Sequence, residues 1–155
     1  MPNLVEVQYH QTGESTKLND MGMREMQARA YEARNEHYLL LKAPPASGKS
    51  RALMFLALDK IHKQGVKKAI IAVPERSIGS SFASTPLSQH GFFTDWVVKP
   101  ENNLCTPGGD SSKVTAFQNF LKDDSDILIC THATLRFAFE AIEEEALDDC
   151  VLAID

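Results

Sequence analysis

Short, wholly apolar runs alternate along the chain with longer stretches in which apolar residues return every three or four positions. Between residues 21 and 34 the apolar positions Met23, Met26 and Ala30 share one helical face, and Asn19 or Asp20 stands ahead of them as a cap. Residues 38–42, Tyr-Leu-Leu-Leu-Lys, form an apolar run of the length of a buried parallel strand. Residues 50–64 predict a helix with Leu53, Leu56, Ala57 and Ile61 on one stripe, basic residues at its end and Gly65 as its stop. A second strand over 69–73 closes at Pro74. A short helix and a loop are expected over 75–93, a third strand over 96–98 and a surface loop over 100–112. Residues 113–121 are amphipathic, 126–130 predict a strand, 134–147 a helix with an acidic outer face, and 150–154 a last strand.

Strands alternating with helices predict an α/β fold of three layers: a mainly parallel sheet with helices on both faces and the strand 38–42 in its interior. Ligands of such sheets bind at the carboxyl ends of the strands. Residues 1–20 are polar and carry a turn cluster, Gly13-Glu14-Ser15-Thr16, so they read as a lead-in segment, with one domain over 21–155.

A hydrophobic fraction of 43% and a charged fraction of 24% match a packed globular domain and exclude wholesale disorder. The net charge is 16 − 21 = −5, so any hold on nucleic acid must come from a local patch or from backbone amides. Cys105, Cys130 and Cys150 contain no C-x-x-C pair, which removes a zinc ribbon and a thioredoxin-type site and fits a reducing cytoplasm. Cys130 and Cys150 sit in apolar runs and read as buried small hydrophobes. No stretch has the length and apolarity of a membrane span, and the first 17 residues have no signal-peptide core.

The chemistry concentrates in Ala43-Pro44-Pro45-Ala46-Ser47-Gly48-Lys49-Ser50, which follows a predicted strand and opens a predicted helix. It fits the phosphate-loop pattern G-x-x-x-x-G-K-[ST] with Ala43 in place of the first glycine. Free N–H groups at a helix start point at an anion, and Gly48 lets the backbone come close to it. Lys49 can reach the β- and γ-phosphates, and the Ser50 hydroxyl can ligate Mg²⁺. Pro44 and Pro45 have no N–H, so the cradle must come from later residues, and Ala46, Ser47, Gly48, Lys49, Ser50 and Arg51 are the candidates for binding ATP.

With these residues the chain resembles the first RecA-like domain of a superfamily 2 helicase or translocase, the group that holds the DEAD/DEAH and restriction-type ATPases. Arg24-Glu25-Met26-Gln27 is similar to the upstream glutamine motif, which implies that Gln27 reads the adenine edge. Val73-Pro74-Glu75-Arg76 resembles motif Ia and Thr131-His132-Ala133-Thr134-Leu135 resembles motif Ib, which implies that Pro74, Arg76, Thr131 and His132 contact a nucleic-acid backbone. Val151-Leu152-Ala153-Ile154-Asp155 resembles the start of the Walker B motif, which implies that Asp155 holds Mg²⁺ through water and, with Lys49, belongs to the catalytic set. The family follows that Asp with a Glu, then a coupling motif and a second RecA-like domain with arginine fingers. None of these is in the sequence, so the expectation is a domain incomplete at its C-terminus that does not hydrolyse ATP by itself.

Other readings stand beside this one. A P-loop kinase or phosphotransferase, or a nucleotide-binding scaffold without turnover, would use the same loop. Gln27 alone reads as a solvated helix residue, Arg76 as a cap or a carboxylate's partner, and His132 as a hydrogen-bonded structural residue. His10, His37, His62 and His90 have no metal-ligand spacing, and Glu143-Glu144-Glu145 with Asp148-Asp149 reads as a solvated face. Phe92, Phe93 and Trp96 read as packing residues.

Overall fold

A computed structural model of the chain describes residues 4–8 and 18–155. It forms two compact units, one of Met1–Lys60 with Thr85–Trp96 and one of Ile61–Ser84 with Val97–Asp155.

The first unit holds strand β1 (Leu4–Gln8), helix α1 (Glu25–Glu32), strand β2 (Tyr38–Lys42) and most of helix α2 (Lys49–Lys63). β1 runs parallel to β2, from Leu4 opposite Tyr38 to Gln8 opposite Lys42. A strand therefore stands inside the segment expected to be irregular; its alternating Val5 and Val7 are the period-2 signal, and Val7 is buried. The turn cluster at Gly13 lies outside the described residues. Among the described residues β2 pairs with β1 alone, which corrects the expectation that it sits inside a larger sheet. Leu39 and Leu41 of β2 pack on Met26 and Ala30 of α1 and on Ala52 and Leu56 of α2, while Tyr38 and Leu40 on the opposite face are exposed.

α1 starts four residues later than its apolar spacing suggests. The Asn19 side chain accepts from the Met21 and Met23 amides and stabilises a separate turn instead of capping the helix. Phe92 is buried edge-on to Tyr31 and tilted against Phe55, and Trp96 is fully buried, so both are core residues. Trp96 makes one antiparallel bridge, to Thr85, in place of the expected strand over 96–98. An apolar triplet that ends two residues before Pro100 is too short to extend that bridge into a ladder.

The second unit holds β3 (Lys68–Val73), α3 (Asp110–Lys122), β4 (Ile127–Thr131), α4 (His132–Ala141) and β5 (Cys150–Ile154). Its three strands are all parallel in the order β4-β3-β5. One face presents Ile70, Ala72, Leu128 and Cys130 to Phe117 and Phe120 of α3 and to Leu135 and Ala138 of α4. Ala69, Ile71, Val73, Ile127 and Ile129 on the alternate positions are also buried, which is why β3 and β4 are apolar without interruption. α3 begins three residues earlier than expected, at Asp110. α4 ends at Ala141, six residues early, and Glu144–Leu147 forms a separate 3₁₀ turn. Three successive glutamates at the negative end of a helix dipole disfavour its continuation. The architecture is α/β with a parallel sheet in each unit. No helix among the described residues is long and apolar enough to cross a membrane. The three cysteines are free; burial pushes the Cys130 thiol up to about 12, while Cys150 is only half-buried.

Phe120 and Phe137 separate core from surface in this unit, one fully buried and the other 42% exposed. Phe120→Ala is expected to cost about 3–5 kcal/mol in urea unfolding, and Phe137→Ala about 0.5 kcal/mol or less. Similar costs for the two would contradict the packing of α3 and α4.

Candidate functional site

The loop between β2 and α2 is shaped by its residue types. Ala43 and Pro44 each precede a proline and are held extended. The chain then turns: the Ser47 amide donates to the Pro44 carbonyl at 3.3 Å, and Ala46 and Gly48 take left-handed φ values of 61° and 91°. The Gly48 carbonyl accepts the first helical bond of α2, from Ala52 at 3.1 Å. The amides of Lys49, Ser50 and Arg51 therefore have no carbonyl within the helix and carry the positive end of its dipole. Ser47 Oγ is buried in this turn with no hydrogen-bond partner among the described residues. A buried orphan hydroxyl beside a row of helix-start amides suits an oxyanion ligand with several acceptor atoms.

α1 meets the loop chiefly through Gln27. Gln27 is 2% exposed; its Oε1 accepts from the Arg24 amide at 2.8 Å, and its Nε2 donates to the Gly48 carbonyl at 3.0 Å. The first bond starts α1 at Glu25, and the second ties α1 to the turn. A Cβ on Gly48 would lie 2.5 Å from Gln27 Nε2, so this approach requires glycine for space as well as for φ. Gln27 is thus beside the phosphate loop and is not the solvated helix residue of the plainer reading. Sequence reasoning missed Arg24 as a loop contact: its Nη1 donates to the Ala46 carbonyl at 3.4 Å. Its place three residues before Gln27, at the helix cap, was the available signal.

The second unit gathers the other candidates at the carboxyl edge of its sheet. Val73 pairs in register with Thr131 and Ala72 with Ile154, so Pro74, His132 and Asp155 leave their strands at the same edge. Pro74 and Arg76 are exposed, and Arg76 opens a 3₁₀ turn over Arg76–Phe82. Thr131 is buried, and its Oγ1 accepts from the Thr134 amide at 3.2 Å, so its hydroxyl caps α4. His132 is exposed, and its Nε2 donates to the Asp155 carbonyl at 3.0 Å, while the Asp155 amide donates to the Ala72 carbonyl at 2.9 Å. Gln27 and residues 46–51 thus share the first unit, and Pro74, Arg76, Thr131, His132 and Asp155 share the second.

Comparison with known proteins places the sequence in a family. DEAD/DEAH box helicases match over residues 24–155. The chain is 63% identical, over all of its 155 residues, to a Bacillus subtilis (strain 168) protein named "Putative ATP-dependent helicase YeeB". It spans 26% of the length of that curated relative. No solved structure matches the chain.

The contact between Gln27 and Gly48 can be tested against a second left-handed glycine. Gly65 has φ 77° and open space around its Cβ position. Gly65→Ala is expected to cost about 1–2 kcal/mol for the backbone alone. Gly48→Ala is expected to cost at least about 1 kcal/mol more, because the new methyl group also displaces the Gln27 amide. Equal costs in urea unfolding would show that Gln27 does not lie against the loop.

Proposed function

The chain belongs to the DEAD/DEAH box helicase family, and on that premise we propose that it is the ATP-binding part of a longer ATP-dependent helicase or translocase acting on nucleic acid. The family's fold is the RecA-like P-loop fold, the observed one being α/β with parallel strands. The family match gives no support to the phosphotransferase alternative.

One observation carries the reading most: the left-handed turn at 46–48 that leads into the start of α2 and buries a Ser47 hydroxyl unpartnered among the described residues. In this reading the amides from Gly48 to Arg51 hold the ATP phosphates, and the Lys49 ammonium neutralises their charge. The Ser50 hydroxyl would be a ligand for Mg²⁺; Asp155, in the other unit, is the residue that matches the family's metal-holding aspartate. Bound Mg²⁺·ATP supplies the phosphoryl group whose transfer drives the protein's work. Gln27 reads the adenine edge. An amide side chain has two donor protons and two acceptor lone pairs, and Gln27 spends one of each on the backbone. Pro74, Arg76, Thr131 and His132 line the edge that meets the sugar–phosphate backbone, where contacts set position without reading sequence. Because the Thr131 hydroxyl caps α4, its own contribution comes through the backbone that it orders.

The ATP-binding domain starts near residue 21 in this reading, with residues 1–20 as a lead-in whose β1 adds to β2. The free cysteines fit a cytoplasmic setting.

In the full-length protein, Lys49→Ala is expected to weaken ATP binding by roughly 10- to 100-fold, the worth of a charge-assisted phosphate contact. It is also expected to remove phosphate release stimulated by single-stranded DNA or RNA. ATP titration and a phosphate-release assay on wild type and variant would check both. Unchanged ATP affinity would show that the loop is not the nucleotide site.

A further inference from the structure

We infer that Asp59 is a positioning residue for nucleotide binding, which, through Tyr31, fixes α1 on α2 so that Gln27 stays on the phosphate loop. This rests on the nucleotide-binding reading of that loop.

Asp59 follows Leu56-Ala57-Leu58 on α2 and is 1% exposed. Burying a carboxylate without partners is costly, so its partners define what the position is for. Two of its partners come from α1 and the turn that follows it. The Tyr31 hydroxyl donates to Asp59 Oδ1 at 2.8 Å, and Arg34 Nε lies 3.6 Å from the same oxygen. The Arg34 guanidinium also stands 4.6 Å over the Tyr31 ring, and its Nη1 donates to the Tyr31 carbonyl at 3.0 Å. Next to Asp59, Lys60 Nζ donates to the Arg34 and Glu36 carbonyls at 3.0 and 3.2 Å. Burial, then the hydrogen bond to Asp59, pushes the Tyr31 phenol up to about 12, so it keeps its proton and donates the hydrogen bond at neutral pH.

This cluster fixes a register as well as a contact. Apolar packing between α1 and α2 through Ala30 and Ala52 tolerates small rotations, whereas a single buried carboxylate does not. Gln27 lies four residues before Tyr31, hence on the same face of α1 and one turn nearer the loop. Polar contacts therefore hold α1 at both ends, Gln27 on Gly48 near its start and Tyr31 on Asp59 near its finish. With the bond to Asp59 cut, α1 can shift on α2, and the bond to Gly48, 3.0 Å long, is the polar contact that yields. The turn that presents the phosphate-binding amides then loses its brace.

The test is a double-mutant cycle on ATP affinity in the full-length protein. Tyr31→Phe removes one oxygen atom and keeps the ring that packs on Phe92. Tyr31→Phe and Gln27→Ala are each expected to weaken ATP binding by about three- to tenfold, and the double variant by no more than the larger single effect, as for residues of one network. Asp59→Asn, which keeps an acceptor for Tyr31, is expected to retain affinity that Asp59→Leu loses. If Tyr31→Phe lowers the melting temperature but leaves ATP affinity unchanged, or if the two affinity losses multiply, the positioning role is overturned. Lys49→Ala keeps the two ideas apart. Normal ATP binding by Lys49→Ala overturns the loop reading itself, while lost binding there with normal binding in Tyr31→Phe overturns only the role of Asp59.

Discussion

A left-handed reversal of the backbone at residues 46–48, braced by the amide of one glutamine, is the constraint on which the rest of the candidate site depends. An alanine at φ 61° costs about 1–2 kcal/mol, and it persists because neighbours hold it. Arg24 bonds the Ala46 carbonyl, Gln27 bonds the Gly48 carbonyl, and the Gly48 carbonyl starts α2. Relaxing the turn would tilt the first helical amides and remove their common aim. The same glutamine sets the start of α1, so one side chain links a helix cap, a loop conformation and the direction of a second helix.

The second unit meets a different constraint. Three parallel strands with apolar residues on both faces expose their chemistry only where the strands end. There Pro74 has no N–H to prolong the β3 ladder, Thr131 turns β4 into α4, and His132 bonds the carbonyl of Asp155. The residues that resemble nucleic-acid motifs and the residue that resembles a metal-holding aspartate are thus tied by a hydrogen bond at one sheet edge. Backbone and capping bonds, rather than charge, order that edge, in keeping with a chain whose net charge is −5.

What could be read from the sequence follows from how local its causes are. β3 and β4 announce themselves because both faces are buried, which leaves no polar position to blur the run. The phosphate loop was visible because Gly-Lys-Ser between a strand and a helix has few other uses. β1 was hidden because a five-residue alternation among polar neighbours resembles a coil. The start of α1 was misplaced because Asn19 is a good cap in isolation, whereas the actual boundary is set by Gln27 in contact with the loop. The capping role of Thr131 is present in the Thr-x-x-Thr spacing, whereas the resemblance to motif Ib points to nucleic acid. Asp59 left the faintest trace, a carboxylate after an apolar helical run, because its partners Tyr31 and Arg34 come from a distant segment that the local pattern does not show.

The central claim is that the first amides of α2 are a phosphate site. Site-resolved amide hydrogen exchange on the full-length protein, with and without Mg²⁺·ATP, tests it most directly. The account predicts slowed exchange at the amides of Gly48 to Arg51, with the same segment protected by pyrophosphate and the effect absent in Lys49→Ala. Protection that falls elsewhere in the chain, or that persists at 48–51 in Lys49→Ala, would contradict it.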